Sequence, residues 1–306
     1  MLDLDGVLTE EKMVGALQEA LVLGSKTAVL NLGDSSCKTR ECVTGYLGNK
    51  LVEIALPDTV EDVLHKVSNF SNQLDAIGFT NALKILGTAL NISNLSSQYA
   101  STFGATLDNY ADSMKIALNR GAELAAPEAE NVFKDAILGM SFSDARGVLL
   151  GDSVAATSYL SNTTYTGLRS AFSPVIKGSL DVFNPNKYWE PLASGYNSFA
   201  KSYVSFKSQL STLTSNPLTS GLVNEAFGGS SLPSLPYDEL SEDLSGTLAS
   251  YATGKALDGL FLMVGKQETK LRADPWGAVK DVGNLISDTV GDLLSDVFGK
   301  AKEGFI

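Results

Sequence analysis

The sequence predicts an all-α fold, a multi-helix bundle. Three observations carry that reading: apolar residues recur at steps of three and four, alternating β-branched runs are nearly absent, and helix starts and stops punctuate the whole chain. Thr9 reads as an N-cap, after which Val14, Leu17, Leu21 and Ala28 share a face until Gly33 stops the helix. A polar loop follows and ends at Pro57; within it Leu51 to Leu56 is the one stretch that reads as a short strand. Asp58 with Glu61 resembles a capping box and opens a helix whose buried stripe is Val60, Val63, Leu64 and Val67. Leu74, Ile77, Ala82, Ile85 and Leu86 continue the helical pattern, punctuated by Gly78 and Gly87.

From Ile92 the stripe Leu95, Tyr99, Phe103, Leu107, Tyr110 and Met114 predicts one long amphipathic helix. Pro127 suits a first helical turn, with Glu128 and Glu130 favouring the positive helix end, and Phe133, Ile137 and Leu138 face inward. Ser141 with Asp144 caps a short helix that ends near Gly151, and the next helix carries Ala155, Tyr159, Leu160, Leu168 and Phe172 as far as Pro174. A second sustained stripe, Tyr196, Phe199, Tyr203, Phe206, Leu210 and Leu213, steps in a heptad pattern. It leads to the loop at 228–237, the best linker in an otherwise single helical domain spanning 1–306. Two C-terminal helices fill 244–300, one with Tyr251, Leu257, Leu260, Phe261 and Val264, the other with Val279, Val282, Leu285, Ile286, Val290, Leu293, Leu294 and Phe298.

Apolar residues make up 44% of the chain and charged residues 19%, the composition of an ordinary globular protein. A net charge of −12 repels phosphate backbones and anionic lipid, so nucleic acid is not an expected partner. No stretch is apolar for long enough to span a membrane, and no signal peptide is legible at the start. The expectation is therefore a cytoplasmic protein or a mature exported one.

The chemistry-bearing motifs are few. Asp3-Leu4-Asp5-Gly6-Val7-Leu8-Thr9 looks like the nucleophile motif of haloacid-dehalogenase-type phosphatases, but that chemistry needs a buried parallel strand before the first aspartate, and two residues cannot form one. His65 is the sole histidine and lies on the polar side of its helix beside Glu61 and Asp62, which reads as a surface position. Gly228-Gly229 lacks the lysine and strand of a phosphate loop, and Asp238, Glu239, Glu242 and Asp243 do not match a calcium loop. No metal site and no cofactor are expected. Cys37 and Cys42 read first as a local disulfide, second as two free thiols and last as a metal pair, since zinc wants about four ligands.

Several segments resemble one bacterial family. They are Leu118-Asn119-Arg120-Gly121-Ala122-Glu123 with Ala126-Pro127-Glu128-Ala129, Phe142-Ser143-Asp144-Ala145-Arg146-Gly147, Ala155-Ala156-Thr157-Ser158-Tyr159 and, most specific, Lys255-Ala256-Leu257-Asp258-Gly259-Leu260-Phe261. Asn31-Leu32-Gly33 and Tyr46-Leu47-Gly48-Asn49 are similar to it as well. Together they resemble domain-of-unknown-function family 4197. That resemblance implies an exported, periplasmic protein of a Gram-negative bacterium and no established activity. The chain is expanded relative to the family around 88–112 and 197–236, and it has Ser161 and Asn162 where the family tends to place basic residues. The two expansions coincide with the two heptad-like stripes, so they are expected to pair as an antiparallel arm that lengthens the bundle.

Three functions are weighed. The first is a non-enzymatic exported protein that binds a protein partner or supports the envelope. The second is a carrier of a lipid or other apolar molecule, held by Tyr159, Phe172, Phe199, Tyr203 and Phe261 around a cavity of a few hundred Å³. The third is an enzyme working through carboxylates alone, which needs two of them buried in one cleft. The polar site candidates are Arg120, Glu123, Asp135, Lys255, Asp258, Glu268 and Arg272, the last four of which also suit a salt-bridged helix face.

Overall fold

The computed structural model describes residues 10–36, 43–90, 92–104, 107–183 and 186–274. The Asp3 to Thr9 string, both cysteines and the stripe at 279–298 lie outside them. Among the described residues there are eleven α-helices, one 3-10 turn and no strand. The helices are α1 Glu10–Leu32, α2 Asp58–Ala76, α3 Phe79–Leu90, α4 Ser93–Phe103 and α5 Leu107–Ala125, then a 3-10 turn at Ala126–Glu128. There follow α6 Ala129–Leu138, α7 Phe142–Leu150, α8 Ala155–Phe183, α9 Asn186–Ser215, α10 Ser220–Phe227 and α11 Ser245–Ala273. The fold is all-α, as expected.

The helices group into two compact units, the first made of residues up to Ile54, Leu118–Leu180 and everything from Ala249, the second of Ala55–Ala117 and Asp181–Leu248. In the first unit α1 packs on α6, α7 and the 3-10 turn, burying Leu17, Leu21, Phe133 and Ile137. Ser141 and Asp144 form the expected capping box at the start of α7. α8 buries Ala156, Leu160, Thr164, Leu168, Phe172, Ile176 and Leu180, a strict four-residue step. Each such step overshoots the helical repeat by about 40°, so the buried line winds round α8 instead of marking one face.

In the second unit α4 lies along α9, and α10 packs on α3 and α9. The expected pairing of the two expansions is present here. Phe103 meets Phe199 edge-on with ring centroids 5.1 Å apart, and Phe199 stacks on Tyr203 at 5.5 Å. Phe70, Phe79 and Phe206 complete this aromatic core. Edge-to-face pairs of this kind add roughly 0.5–1.5 kcal/mol each beyond area burial.

Six local expectations are corrected. Leu138, expected to face inward, is the last residue of α6 and is 56% exposed. The stripe from Ile92 to Met114 is two helices, broken at Gly104, where a Cβ would come within 2.3 Å of the Ala100 carbonyl oxygen. Pro174 does not end α8, which continues to Phe183 with that proline inside it. Asp58 is not an N-cap: Pro57 holds that position and no side chain caps α2. Leu51 to Leu56 is not a strand, for a reason given below. The stripe of α9 does not lead straight into the loop at 228–237, because α10 intervenes and closes on Gly228 in the left-handed region, φ 58°. His65 is exposed beside Asn69, where a surface histidine belongs.

Candidate functional site

One group of polar side chains in the first unit, from α5, holds the loop between α1 and α2. Glu123 sits on α5 and is 1% exposed. Its Oε1 accepts the backbone N–H of Tyr46 at 3.0 Å and of Leu47 at 2.9 Å. Its Oε2 accepts from Arg120 one turn earlier, and Arg120 also donates to the Ser35 carbonyl at 2.8 Å. The loop reaches this carboxylate because Gly45 takes φ 73°; a Cβ there would stand 2.6 Å from the Asp34 carbonyl oxygen and 2.7 Å from Glu123 Oε1. Asp34 braces the same turn, and bonds from the Ser36 hydroxyl first, then the Ser36 N–H and the Thr44 hydroxyl, hold its carboxyl below the usual range.

Tyr46 is fully buried and donates to the Ala256 carbonyl of α11 at 2.6 Å. Burial first, and then the Glu123 charge, drive its phenol far above the ordinary value. The ring leaves no room at Gly259, where a Cβ would lie 2.8 Å from Tyr46 Cε1. Asn119, also fully buried, completes the anchorage. It accepts the Ile54 N–H and donates to the Ile54 carbonyl, both at 2.8 Å. One side-chain amide thus serves residue 54 as a neighbouring strand would. That is why the apolar run at 51–56, a turn at 51–52 followed by residues without regular structure, belongs to no sheet.

A second anchor of the same design lies on α11. Glu268 caps the start of α8, accepting the N–H groups of Ala156 at 2.9 Å and Thr157 at 2.8 Å and the Thr157 hydroxyl at 2.7 Å. Arg272, one turn on, pairs with Glu268 and donates to the Val148 carbonyl. A cavity of about 10 Å³ beside Glu268, lined by Leu21, Ser25, Leu160, Val264 and Leu271, has room for one water and none for an acyl chain.

The candidate polar residues therefore separate. Arg120 and Glu123 form one anchor and Glu268 with Arg272 another. Lys255 and Asp258 make an exposed pair 3.8 Å apart, and Asp135 is exposed. Of the aromatic candidates, Phe172 is buried and Tyr159 and Phe261 are half-buried in the first unit, while Phe199 and Tyr203 belong to the aromatic core of the second. Both oxygens of Glu123 and both of Glu268 are occupied by donors, so what these carboxylates do chemically is hold backbone in place. No cluster of three or more histidine, cysteine or carboxylate groups able to hold a metal occurs among the described residues. No helix among them is long and apolar enough to cross a membrane. In the sequence Tyr46 and Asn119 stand out only as parts of family-like segments, while the Arg120–Glu123 spacing of one helical turn is the signal of a buried pair.

Comparison with known proteins covers the α5 and α11 sides of this anchor and not the loop that carries Tyr46. The model of the family described as protein of unknown function (DUF4197) matches residues 92–229 and 222–285. No curated protein and no solved structure matches significantly. With well over half of its 306 residues matched, the chain belongs to the DUF4197 family.

Proposed function

We propose that this chain is a non-enzymatic, exported helical protein that presents the loop at 33–54 to a protein partner. The observation that carries this reading is the Glu123 anchor. The described parts of this connection, 33–36 and 43–57, contain no helix or strand, and connections of this length are uncommon unless they serve a function. Here its described backbone is fixed from beneath by Glu123, Arg120, Asn119 and Tyr46. Its outer side chains are nonetheless offered to solvent: Val43 is 84% exposed, Leu51 is 56% exposed, and Lys50 lies between them in sequence. Fixing a binding loop before the encounter lowers the entropic cost of association. Export rests on the family resemblance; a disulfide between Cys37 and Cys42, the first reading of their spacing, would accord with it.

The test is site-specific photocrosslinking in the producing cells. A photoreactive residue is placed at Val43, at Leu51 or at Leu218, which is 90% exposed in the second unit. A discrete polypeptide adduct is expected from Val43 and Leu51, absent at Leu218 and lost when Glu123→Ala is added. Equal labelling at all three positions, or none at the loop, would overturn the reading.

A further inference from the structure

Between Ala252 and Leu271, α11 is exposed along one line only: Lys255, Asp258, Leu262, Lys266 and Thr269, with Lys270 beside it. These positions are three or four apart and so share a face. α8 walls that face on one side. Tyr165 stacks on Phe261 with ring centroids 6.4 Å apart, and Val154, at the approach to α8, lies 3.9 Å from where a Cβ at Gly265 would stand. The loop after α1 walls the other side, with Tyr46 and Val52 at 2.8 and 3.2 Å from the Cβ position of Gly259. The result is a groove with Leu262 on its floor and Val154 and Tyr165 on its α8 wall, each more than a third exposed. Lys255 and Asp258, the polar members of the most family-like segment, also lie along it and pair only loosely, at 3.8 Å. Exposed apolar side chains gathered in one groove mark an interaction surface.

The chain itself supplies an occupant, and it starts at the groove's end. α11 stops at Ala273, where Arg272 is held by its bond to the Val148 carbonyl at 2.7 Å. Pro275 and Gly277 follow, residues that end a helix and reverse a chain. Beyond them, outside the described residues, Val279, Val282, Ile286, Val290, Leu293 and Val297 recur at steps of three and four, the stripe of an amphipathic helix. Asp281, Asp288 and Asp292 fall on the opposite side of such a helix.

The lengths and the register agree. Residues 279–298 as a helix span about 30 Å, and the exposed line from Thr269 to Lys255 spans about 21 Å of α11. Folding back about Trp276 sets Leu262, fourteen residues before it, level with Val290, fourteen residues after it. Gly283, Gly291 and several β-branched residues lower the segment's own helix propensity, so burial of the stripe has to supply its stability. A membrane surface is the poorer match, because the polar side is acidic where an interfacial helix carries Lys and Arg.

We propose that the groove between α8 and the loop is the seat of the chain's own residues 279–298, which fold back antiparallel to α11 and place Ile286 and Val290 on Leu262, Val154 and Tyr165, with the aspartates in solvent. Nothing in this depends on the partner assigned to the loop at 33–54, so either reading can fail alone.

Two measurements on the purified full chain decide it. A photoreactive residue at Leu262 is expected to give an adduct within one chain, mapped by peptide mass spectrometry to residues 286–294. An adduct joining two chains would make a second copy the occupant, and no adduct to residues 279–298 would mean that they do not sit there; either result overturns the proposal. The second measurement is hydrogen exchange across 279–298. These amides are expected to be protected in the unaltered chain and to exchange at least tenfold faster in Leu262→Asp and in Val154→Asp, while the amides of α8 keep their protection. Leu138→Asp, at an exposed site on α6, is expected to leave them unchanged. Free exchange of 279–298 in the unaltered chain, protection that survives both groove variants, or an equal loss in Leu138→Asp contradicts the proposal.

Discussion

Replacing Glu123 with alanine removes the acceptor of two backbone N–H groups and the partner of Arg120 in one step. A buried donor left without a partner costs about 1–3 kcal/mol, and breaking a buried ion pair from one side costs about 3–5 kcal/mol. These losses overlap, because the N–H groups and the guanidinium share one carboxylate, so the expected destabilisation is about 3–5 kcal/mol in total. With a urea slope of about 2–3 kcal/mol per molar, the midpoint followed by circular dichroism falls by about 1–2 M. The control is Glu130→Ala. Glu130 pairs with Lys26 at 3.2 Å, but both side chains are some two-fifths exposed, and an exposed pair contributes no more than about 1 kcal/mol. Arg120→Ala added to Glu123→Ala should cost far less than Arg120→Ala alone, since its partner has already gone. If Glu123→Ala moves the midpoint no further than Glu130→Ala does, the carboxylate does not anchor the loop and the reasoning fails.

Three further outcomes follow from the same geometry. Gly45→Ala should cost about 2–3 kcal/mol because positive φ and two close oxygens act together, whereas Gly78→Ala, at φ 67° with nothing within 4 Å, should cost about 1 kcal/mol; urea midpoints compare them. Thr102→Val should leave stability unchanged or raise it by about 1 kcal/mol, since the Thr102 hydroxyl is buried without a partner against Gly195; Gly195→Ala should destabilise, its new Cβ lying 2.8 Å from that oxygen. At alkaline pH, burial raises Tyr99 and Tyr196 from 10.0 to about 12, and raises Tyr46 and Tyr203 further. The folded state therefore favours the neutral phenol. This stability is complete below pH 10 and is lost as pH climbs towards 12, so tyrosinate absorbance should rise late and together with loss of helix.

The helices were legible wherever one face stays buried along the element. The stripe of α9 and the line Val60, Leu64, Val67, Phe70 and Leu74 on α2 repeat at three and four residues, and the structure buries them. Periodicity failed where backbone chemistry cuts across it. It runs unbroken from Phe103 to Tyr110, so the break at Gly104 was invisible to it, and Pro174 looked like a terminus although a long helix can lose one hydrogen bond and continue. The run at 51–56 has the composition of a strand, but its partner is the amide of Asn119, far along the chain, and no local pattern announces such a pairing. For the site, Arg120, Glu123, Glu268 and Arg272 could be nominated because charged residues one turn apart on an otherwise apolar helix ask for an explanation. Which backbone they hold depends on tertiary contacts over 77 and 112 residues. The stripe of α9 is legible as aromatic, but that Tyr196 and Tyr203 donate to the Tyr237 and Pro233 carbonyls is not, since a hydroxyl that bonds a distant carbonyl and one that faces water have the same sequence.

The most direct test of the anchored loop is site-resolved hydrogen exchange on the intact chain. The amides of Tyr46, Leu47 and Ile54 donate to Glu123 and Asn119, and so should be protected as strongly as the core helices of their unit, although residues 43–57 form no helix or strand. Glu123→Ala should abolish protection at Tyr46 and Leu47. Free exchange of these three amides in the unaltered protein would contradict a loop fixed in advance for a partner.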